Sequence, residues 1–547
     1  MSSPETTTVA DVLLDQLADH GVTVAFGIPG VHNLPLWVGA GVGRRPRVVG
    51  VRHEQAAGYA ADALARATGR LGAVLTTTGP GFVNALAAFG EAWTSFSPVV
   101  LLSSEAPAMP RRRSGYDDGL LHGMRSQAEM VRAGFGAEAV STTTAVEAVA
   151  ALPGLCAHAL RTGRPVYLGV PADVLHEPWD GPVPGPLPIE RARPSAPDVA
   201  AAAESLRGRR VVLWLGARAV AAEAEVLRLA QVLDAHVVTT YQARGLLAQY
   251  AGSIVAPPHE PAVAAHIAAA DVLLVIGDDL AGMTTRNWRM PVPPSIVAVV
   301  DDAGLSLGDY DLAAKVVGDI ATSTAAIVDA LGASAGTGAG GATAADELTG
   351  SILASIAADP RTAAAATFVR TVQESWPSDG QVVVDMCIAG YWTGGYSRQP
   401  RARRLTYPVG WGTLGFGFPA SIGPAAVGLE TLAIVGDGGF AMGPGELATL
   451  VQEQLPAVVL LVTDGGYGML RFDQTVAGDE HRGVDLVEPH YEDLGAAYGV
   501  PVLRTDDPGE GLAKALAEAR AVDGPAMVVL EAAFHPPRTT SPRWNEA

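Results

Sequence analysis

Leu432-Ala433-Ile434-Val435-Gly436-Asp437-Gly438-Gly439-Phe440 runs from a short apolar stretch straight into a glycine-rich turn carrying one carboxylate. Such a stretch fits a strand buried on both faces, as in a parallel sheet. Glycines at its end let main-chain N–H groups approach an anion, and a helix starting there presents a positive N-terminus. Strand carboxyl ends are where doubly wound sheets bind ligands. Asp437 adds a hard oxygen. The next apolar run, Val458 to Val462, ends at Thr463-Asp464-Gly465-Gly466-Tyr467-Gly468. One strand–helix–strand step would set Asp464 beside Asp437. Two carboxylates, a main-chain carbonyl, phosphate oxygens and a water complete a Mg2+ shell. Gly-Asp-Gly alone also fits a solvated turn; the second carboxylate, one step later, favours a metal-bridged diphosphate.

The same alternation extends outward through the chain. Val24-Ala25-Phe26, Ala73 to Thr76 and Pro98 to Leu102 read as buried parallel strands, and so do Val211 to Leu215, Val237 to Thr239, Val272 to Ile276 and Ile296 to Val300. Proline-rich Trp179 to Pro197 and the Gly/Ala/Ser/Thr tract Ala333 to Ala345 read as linkers. The expectation is an α/β protein with three doubly wound parallel-sheet domains, at 1–178, 195–332 and 360–547. Gly79-Pro80-Gly81 precedes a helix expected to end at Ser97, before one apolar strand, and Gly443-Pro444-Gly445 precedes another such pair. The outer domains are therefore expected to share a fold.

A length of 547 residues exceeds what one core accommodates, in keeping with three domains. Hydrophobic residues make up 48%, yet no apolar run is long enough to span a membrane. Met1 to Val9 lacks a basic start and an apolar core, so a secretion leader is not expected. Cys156 and Cys387 are the only cysteines, which suits a reducing, cytoplasmic setting. The formal charge of −20 argues against nucleic acid or an anionic membrane as partner.

A second string completes the pattern. Arg52-His53-Glu54-Gln55-Ala56-Ala57-Gly58-Tyr59-Ala60-Ala61-Asp62 sets one glutamate at the start of an apolar helical stretch. Taken alone, Glu54 equally well serves the helix dipole. Trp411-Gly412-Thr413-Leu414-Gly415-Phe416-Gly417 lies just before the Asp437 strand. Taken alone, it equally fits ordinary helix–sheet packing. Together the three strings resemble the thiamine diphosphate-dependent enzymes of the acetolactate synthase and 2-oxo acid decarboxylase superfamily.

That resemblance implies thiamine diphosphate and Mg2+ as cofactors. It implies Asp437, Asp464 and the Gly466 carbonyl as metal ligands, although Thr463-Asp464 stands where Asn-Asn is usual in the family. Gly436, Gly438 and Gly439 would face the diphosphate. Leu414 would hold the cofactor bent and the Gly412 carbonyl would accept from its 4′-amino group. Glu54 would hydrogen-bond the pyrimidine N1′. Gly468, Met469 and Leu470 would flank the thiazolium, and Phe472 with the tail Pro536 to Thr540 would close over it. His32, His122 and Gln127 are candidates for proton transfer and substrate contact, with Gly123 in place of a second histidine.

The implied reaction is non-oxidative decarboxylation of a 2-oxo acid, ending in an aldehyde or in an acyloin or acetolactate-type product. Acetolactate synthase proper and a catalytically degenerate regulatory relative are the alternatives. A dehydrogenase is disfavoured, since no Gly-x-Gly-x-x-Gly string follows a first strand. Gly216-Ala217-Arg218 and Gly277-Asp278-Asp279 read as a nucleotide-fold remnant, with FAD possible but not favoured. A homodimer or homotetramer with active sites at subunit interfaces is implied.

Overall fold

The computed structural model describes residues 7–109, 119–332 and 341–540. It contains three sheets. In the first, the strand order from edge to edge is Arg47–Gly50, Val24–Gly27, Gly72–Thr76, Val99–Glu105, Val166–Pro171, Ala139–Ser141. In the last it is Leu405–Thr406, Gln381–Val384, Thr431–Gly436, Ala457–Thr463, Ala526–Glu531, Val502–Thr505. Numbered within each domain, both orders are 2-1-3-4-6-5, so the two outer sheets share one topology. Each Gly-Pro-Gly turn falls between the third and fourth strands of its domain, as the internal echo predicts. The middle sheet runs Ala314–Val317, Ser295–Val300, Val272–Ile276, Val211–Leu215, His236–Thr239.

Pairing is parallel, as in Val458↔Ala526 through Thr463↔Glu531. Parallel strands need crossover helices on both faces, so their side chains are buried on both sides. Gly72–Thr76, Val211–Leu215, Val272–Ile276 and Ala457–Thr463 are accordingly buried at every position. Burying each Val, Leu or Ile contributes about 1.5–3 kcal/mol, and this hydrophobic term drives the layers together.

Two local expectations need correction. The helix after Gly79 does not run unbroken to Ser97: it divides into Pro80–Asn84 and Leu86–Thr94 at Ala85. The tract from Ala333 falls outside the described residues at 333–340, and its end is helix, because Gly341–Ala358 is alanine-rich. The proline-rich stretch from 179 to 195 carries no helix or strand, as its composition requires.

The chain forms two compact units. One comprises residues 1–190 with 418–431 and 442–457; the other holds 191–417, 432–441 and 458–547. In the first, helix Gly417–Ala426 from late in the chain packs against the early helix Glu54–Thr68. A Cβ on Gly423 would lie 1.9 Å from the Ala60 carbonyl oxygen, so that close approach requires glycine. In the second, one apolar core runs from Trp214 and Val275 of the middle sheet to Leu460 and Val528 of the last. No helix among the described residues is long and apolar enough to cross a membrane.

Candidate active site

In the last sheet the strand order reverses between Gln381–Val384 and Thr431–Gly436, and a crevice opens beyond their carboxyl ends. The cavity there measures about 210 Å3. Its lining includes Gly412, Leu414, Gly436, Asp437, Gly438, Gly439, Asp464, Gly466, Gly468, Met469 and Leu470. Every cofactor and metal residue expected in this half of the chain is therefore gathered around one space.

Asp437 is buried at the start of a short helix. Its Oδ2 accepts from Thr463 Oγ1 at 3.0 Å and from the N–H groups of Gly465 and Gly466 at 2.9 and 2.8 Å. Gly438 N–H donates to its Oδ1 at 2.8 Å. The carboxylate is thus fixed in orientation by its own turn and by the next strand end. Asp464 has its pKa pushed up to about 6, by burial first and then by the negative charge of Asp437. Two carboxylates that disfavour each other's charge are suited to a shared cation. Arg471 flanks Asp464 at 3.5 Å and also pairs with Asp485 at 2.9 Å. A Cβ on Gly468 would lie 2.1 Å from Asp464 Oδ2, so only glycine leaves this carboxylate its place. Hard oxygens, a glycine-lined wall and a strand-end crevice fit a metal-bridged diphosphate.

Asp385 was not legible as a site residue. It follows strand Gln381–Val384 and is fully buried. Its carboxylate accepts from Met386 N–H at 2.7 Å, Gly415 N–H at 3.0 Å and Gly417 N–H at 3.0 Å. It therefore pins the loop that carries Gly412 and Leu414. Burial pushes its pKa up to about 6, against the pull of these donors.

Glu54, in the first unit, opens helix Glu54–Thr68 and is 9% exposed. Its Oε2 accepts from Asn84 Nδ2 at 3.0 Å. Sequence reasoning missed Asn84, although it closes the short helix that follows Gly79. It missed Glu446 too. That buried carboxylate accepts from the N–H groups of Arg52 and His53 at 2.9 and 3.1 Å, just ahead of Glu54.

His32 and His122 meet edge to face with ring centroids 5.6 Å apart. His32 Nδ1 lies 2.9 Å from Thr78 Oγ1, which is 3.0 Å from Ser104 Oγ. Burial, then the neighbouring His122, lower the His32 pKa. Gly79, at φ +63°, packs under the His122 main chain: a Cβ there would lie 2.5 Å from His122 O. Gln127 departs from its expected role. Its Oε1 accepts from Gly79 N–H at 2.7 Å, and its Nε2 reaches Ser104 O at 3.2 Å and Tyr167 OH at 2.6 Å. The amide is occupied in holding the Gly79 turn rather than turned toward a substrate carboxylate.

In the middle domain the two glycine turns pack on each other, with Arg218 N–H donating to Gly277 O at 3.1 Å. Asp278 accepts from Trp214 Nε1 at 2.9 Å, and burial followed by Asp279 pushes its pKa up to about 7. Phe472 meets His535 edge to face, and Thr539 and Thr540 line a smaller cavity beside the first.

Comparison with known proteins bears on all three domains. Residues 7–130 match the model of the thiamine pyrophosphate enzyme N-terminal TPP binding domain, 199–327 that of the central domain and 385–530 that of the C-terminal TPP binding domain. The chain is 34% identical over 533 residues to the probable 2-ketoarginine decarboxylase of Pseudomonas aeruginosa, covering 93% of this chain and 91% of that one. It is 27% identical over 573 residues to an acetolactate synthase of Mycobacterium bovis, covering 95% and 87%. A crystal structure from Mycobacterium smegmatis, of a protein assigned as a thiamin diphosphate-dependent enzyme, superposes with a TM-score of 0.77. It is 19% identical and covers 96% of this chain and 99% of that one, a likeness of fold.

Proposed function

From the premise that this chain belongs to the thiamine pyrophosphate enzymes, we propose that it decarboxylates a 2-oxo acid without oxidation, using thiamine diphosphate and Mg2+. The observation that carries this reading is the strand-end cavity lined by both Asp437 and Asp464. Bound there, the cofactor supplies a nucleophilic carbon and the electron sink that lets CO2 leave.

The chain's own residues do the rest. Asp437, Asp464 and the Gly466 carbonyl hold the metal. The N–H groups of Gly436, Gly438 and Gly439 receive the diphosphate. Leu414 and the Gly412 carbonyl keep the cofactor's shape, and Asp385 keeps their loop in place. Glu54, steadied by Asn84, exchanges a proton with the pyrimidine N1′. Gly468, Met469 and Leu470 wall the space for the substrate's acyl group and limit water. His122 holds a proton for the reacting carbon, and the lowered His32 pKa favours the neutral, proton-accepting ring beside it.

Proton delivery gives an aldehyde. The second reading is carboligation, favoured by the full-length likeness to an acetolactate synthase and by Gly123, which leaves His122 without a second histidine beside it. The 34%-identical relative places a guanidino 2-oxo acid among the substrates to test. We further propose a homodimer or homotetramer in the cytoplasm, in which two subunits complete each site. Glu54 belongs to one compact unit and Asp437 to the other, which suits that arrangement.

The test is to incubate the protein, thiamine diphosphate and Mg2+ with a panel of 2-oxo acids, following CO2 and products by mass spectrometry. CO2 release that stops on chelation and returns with Mg2+ is expected. A protein that releases no CO2 from any 2-oxo acid, with cofactor demonstrably bound, lacks this function.

A further inference from the structure

A second cavity of about 80 Å3 adjoins the first and shares Met386, Tyr391 and Met469 with it. Tyr241, Tyr407 and Asp473 line it further in. Asp473 lies on helix Gly468–Ala477, one turn beyond Met469, so a single helix offers residues to both spaces. Its Oδ1 is buried and accepts no hydrogen bond among the described residues. Burial raises its pKa, and no neighbouring cation or donor offsets that rise. Asp473 as a whole is part-exposed, but a carboxylate oxygen withdrawn from water without a partner is costly, and such atoms are normally paired. Asp385, Asp437 and Glu446, which are buried near the candidate site residues, each accept several protein donors.

We infer that Asp473 selects the substrate: it receives a cationic group, guanidinium or ammonium, at the end of the tail of a 2-oxo acid. This rests on the decarboxylase reading and deepens it. The three shared residues suit the path of such a tail. Met386 and Met469 are pliant and apolar, matched to a methylene chain. Tyr391, Tyr241 and Tyr407 offer aromatic faces, which attract a cation beside a carboxylate. A planar guanidinium would pair with both carboxylate oxygens through parallel N–H groups. A neutral alkyl tail of the same length leaves Asp473 Oδ1 buried and unpaired. A site built to bind a polar group rejects analogues that lack it far more strongly than an apolar pocket rejects a poor fit.

The experiment uses the holoenzyme with 5-guanidino-2-oxopentanoate, the neutral 2-oxooctanoate, whose tail has the same length, and 5-guanidinopentanoate, which has no ketone to react. Wild type is expected to prefer the guanidino substrate in kcat/KM by roughly 10²–10⁴-fold, the range for a site with a dedicated polar partner. Asp473→Asn should lower that preference about 100-fold, by raising KM for the guanidino substrate and by improving use of the neutral one, which no longer leaves a charge unpaired. Asp473→Glu keeps the charge one methylene further out, so it should retain a cationic preference and shift it to 4-guanidino-2-oxobutanoate. Calorimetry should show 5-guanidinopentanoate binding to wild type and not to Asp473→Asn. Equal use of cationic and neutral substrates by wild type, or the same preference in Asp473→Asn, overturns the inference while leaving the decarboxylase intact. If no 2-oxo acid is consumed, the decarboxylase reading fails and calorimetry decides alone: Asp473-dependent binding upholds the cation site, and its absence overturns it.

Discussion

At the scale of single residues, the roles proposed for Asp437 and Glu54 are separable, and their substitution should show it. Asp437→Ala removes a proposed charged ligand of Mg2+ and empties the position to which Thr463, Gly465 and Gly466 donate. Cofactor affinity in the presence of Mg2+ should fall by roughly 100-fold or more, beyond the loss seen for an outer partner of a metal ligand. Glu54→Gln should leave that affinity near wild type, because the metal and diphosphate anchor remains. Exchange of the thiazolium C2 proton should instead slow by roughly 10²–10⁴-fold, the usual contribution of an acid–base group. Calorimetry and proton-exchange NMR on both variants test the division; unchanged affinity in Asp437→Ala would reject its assignment. Asp437 and Asp464 were singled out because carboxylates at successive strand ends carry a local pattern, whereas Glu54 was singled out only through the family resemblance. Asp385 and Glu446 were not, since their partners come from residues far along the chain. Gln127 was found as a residue that matters, but its donors and acceptors belong to the fold.

At the scale of elements, the loop Trp411–Gly417 depends on Asp385. Asp385→Ala would leave buried N–H groups of Gly415 and Gly417 without acceptors, at about 1–3 kcal/mol each. A lower urea midpoint and weaker cofactor binding are expected together; normal stability would mean that the loop is held otherwise. The turn before helix Pro261–Ala268 makes a pH-dependent link. His259 Nε2 donates to the Thr539 carbonyl at 3.1 Å, and burial lowers its pKa to about 4 from 6.5. The neutral ring is favoured in the fold, so its contribution is present above pH 6.5 and is lost as pH falls toward 4. A shift of that size corresponds to about 3 kcal/mol. His259→Gln should give a flatter stability curve between pH 6.5 and 4, measured by urea unfolding at each pH. An equally steep curve would show that His259 is not the group responsible. Most central strands were predicted from their apolar runs. Arg47–Gly50, Leu405–Thr406 and Val502–Thr505 were not, because edge strands are short and only part-buried or rich in polar residues.

At the scale of the whole molecule, the proposed sharing of sites between subunits has a direct test. Glu54→Gln and Asp437→Ala should each be inactive alone. If each site draws Glu54 from one subunit and Asp437 from another, a mixed dimer contains one site free of both substitutions. Unfolding and refolding the two variants together should then restore about one quarter of wild-type activity, as random pairing of a two-fold dimer requires. No recovery would mean that each chain completes its own site. Size-exclusion chromatography with light scattering would give the number of subunits.

The sequence by itself determined the alternation of strand and helix, the likeness of the two outer domains and the residues gathered around the strand-end cavity of the last sheet. Each rests on a local signal: an apolar run of strand length, a glycine turn, a carboxylate at a fixed step. Tertiary structure decided what such signals cannot carry. It gathered the middle and last sheets around one apolar core and packed residues 418–431 and 442–457 with the first domain. It engaged Gln127 with the Gly79 turn, set Glu446 ahead of Glu54, and left Asp473 Oδ1 without a hydrogen bond among the described residues, beside a second cavity. Burial and hydrogen-bond satisfaction depend on everything that packs around a group, and those neighbours come from distant parts of the chain.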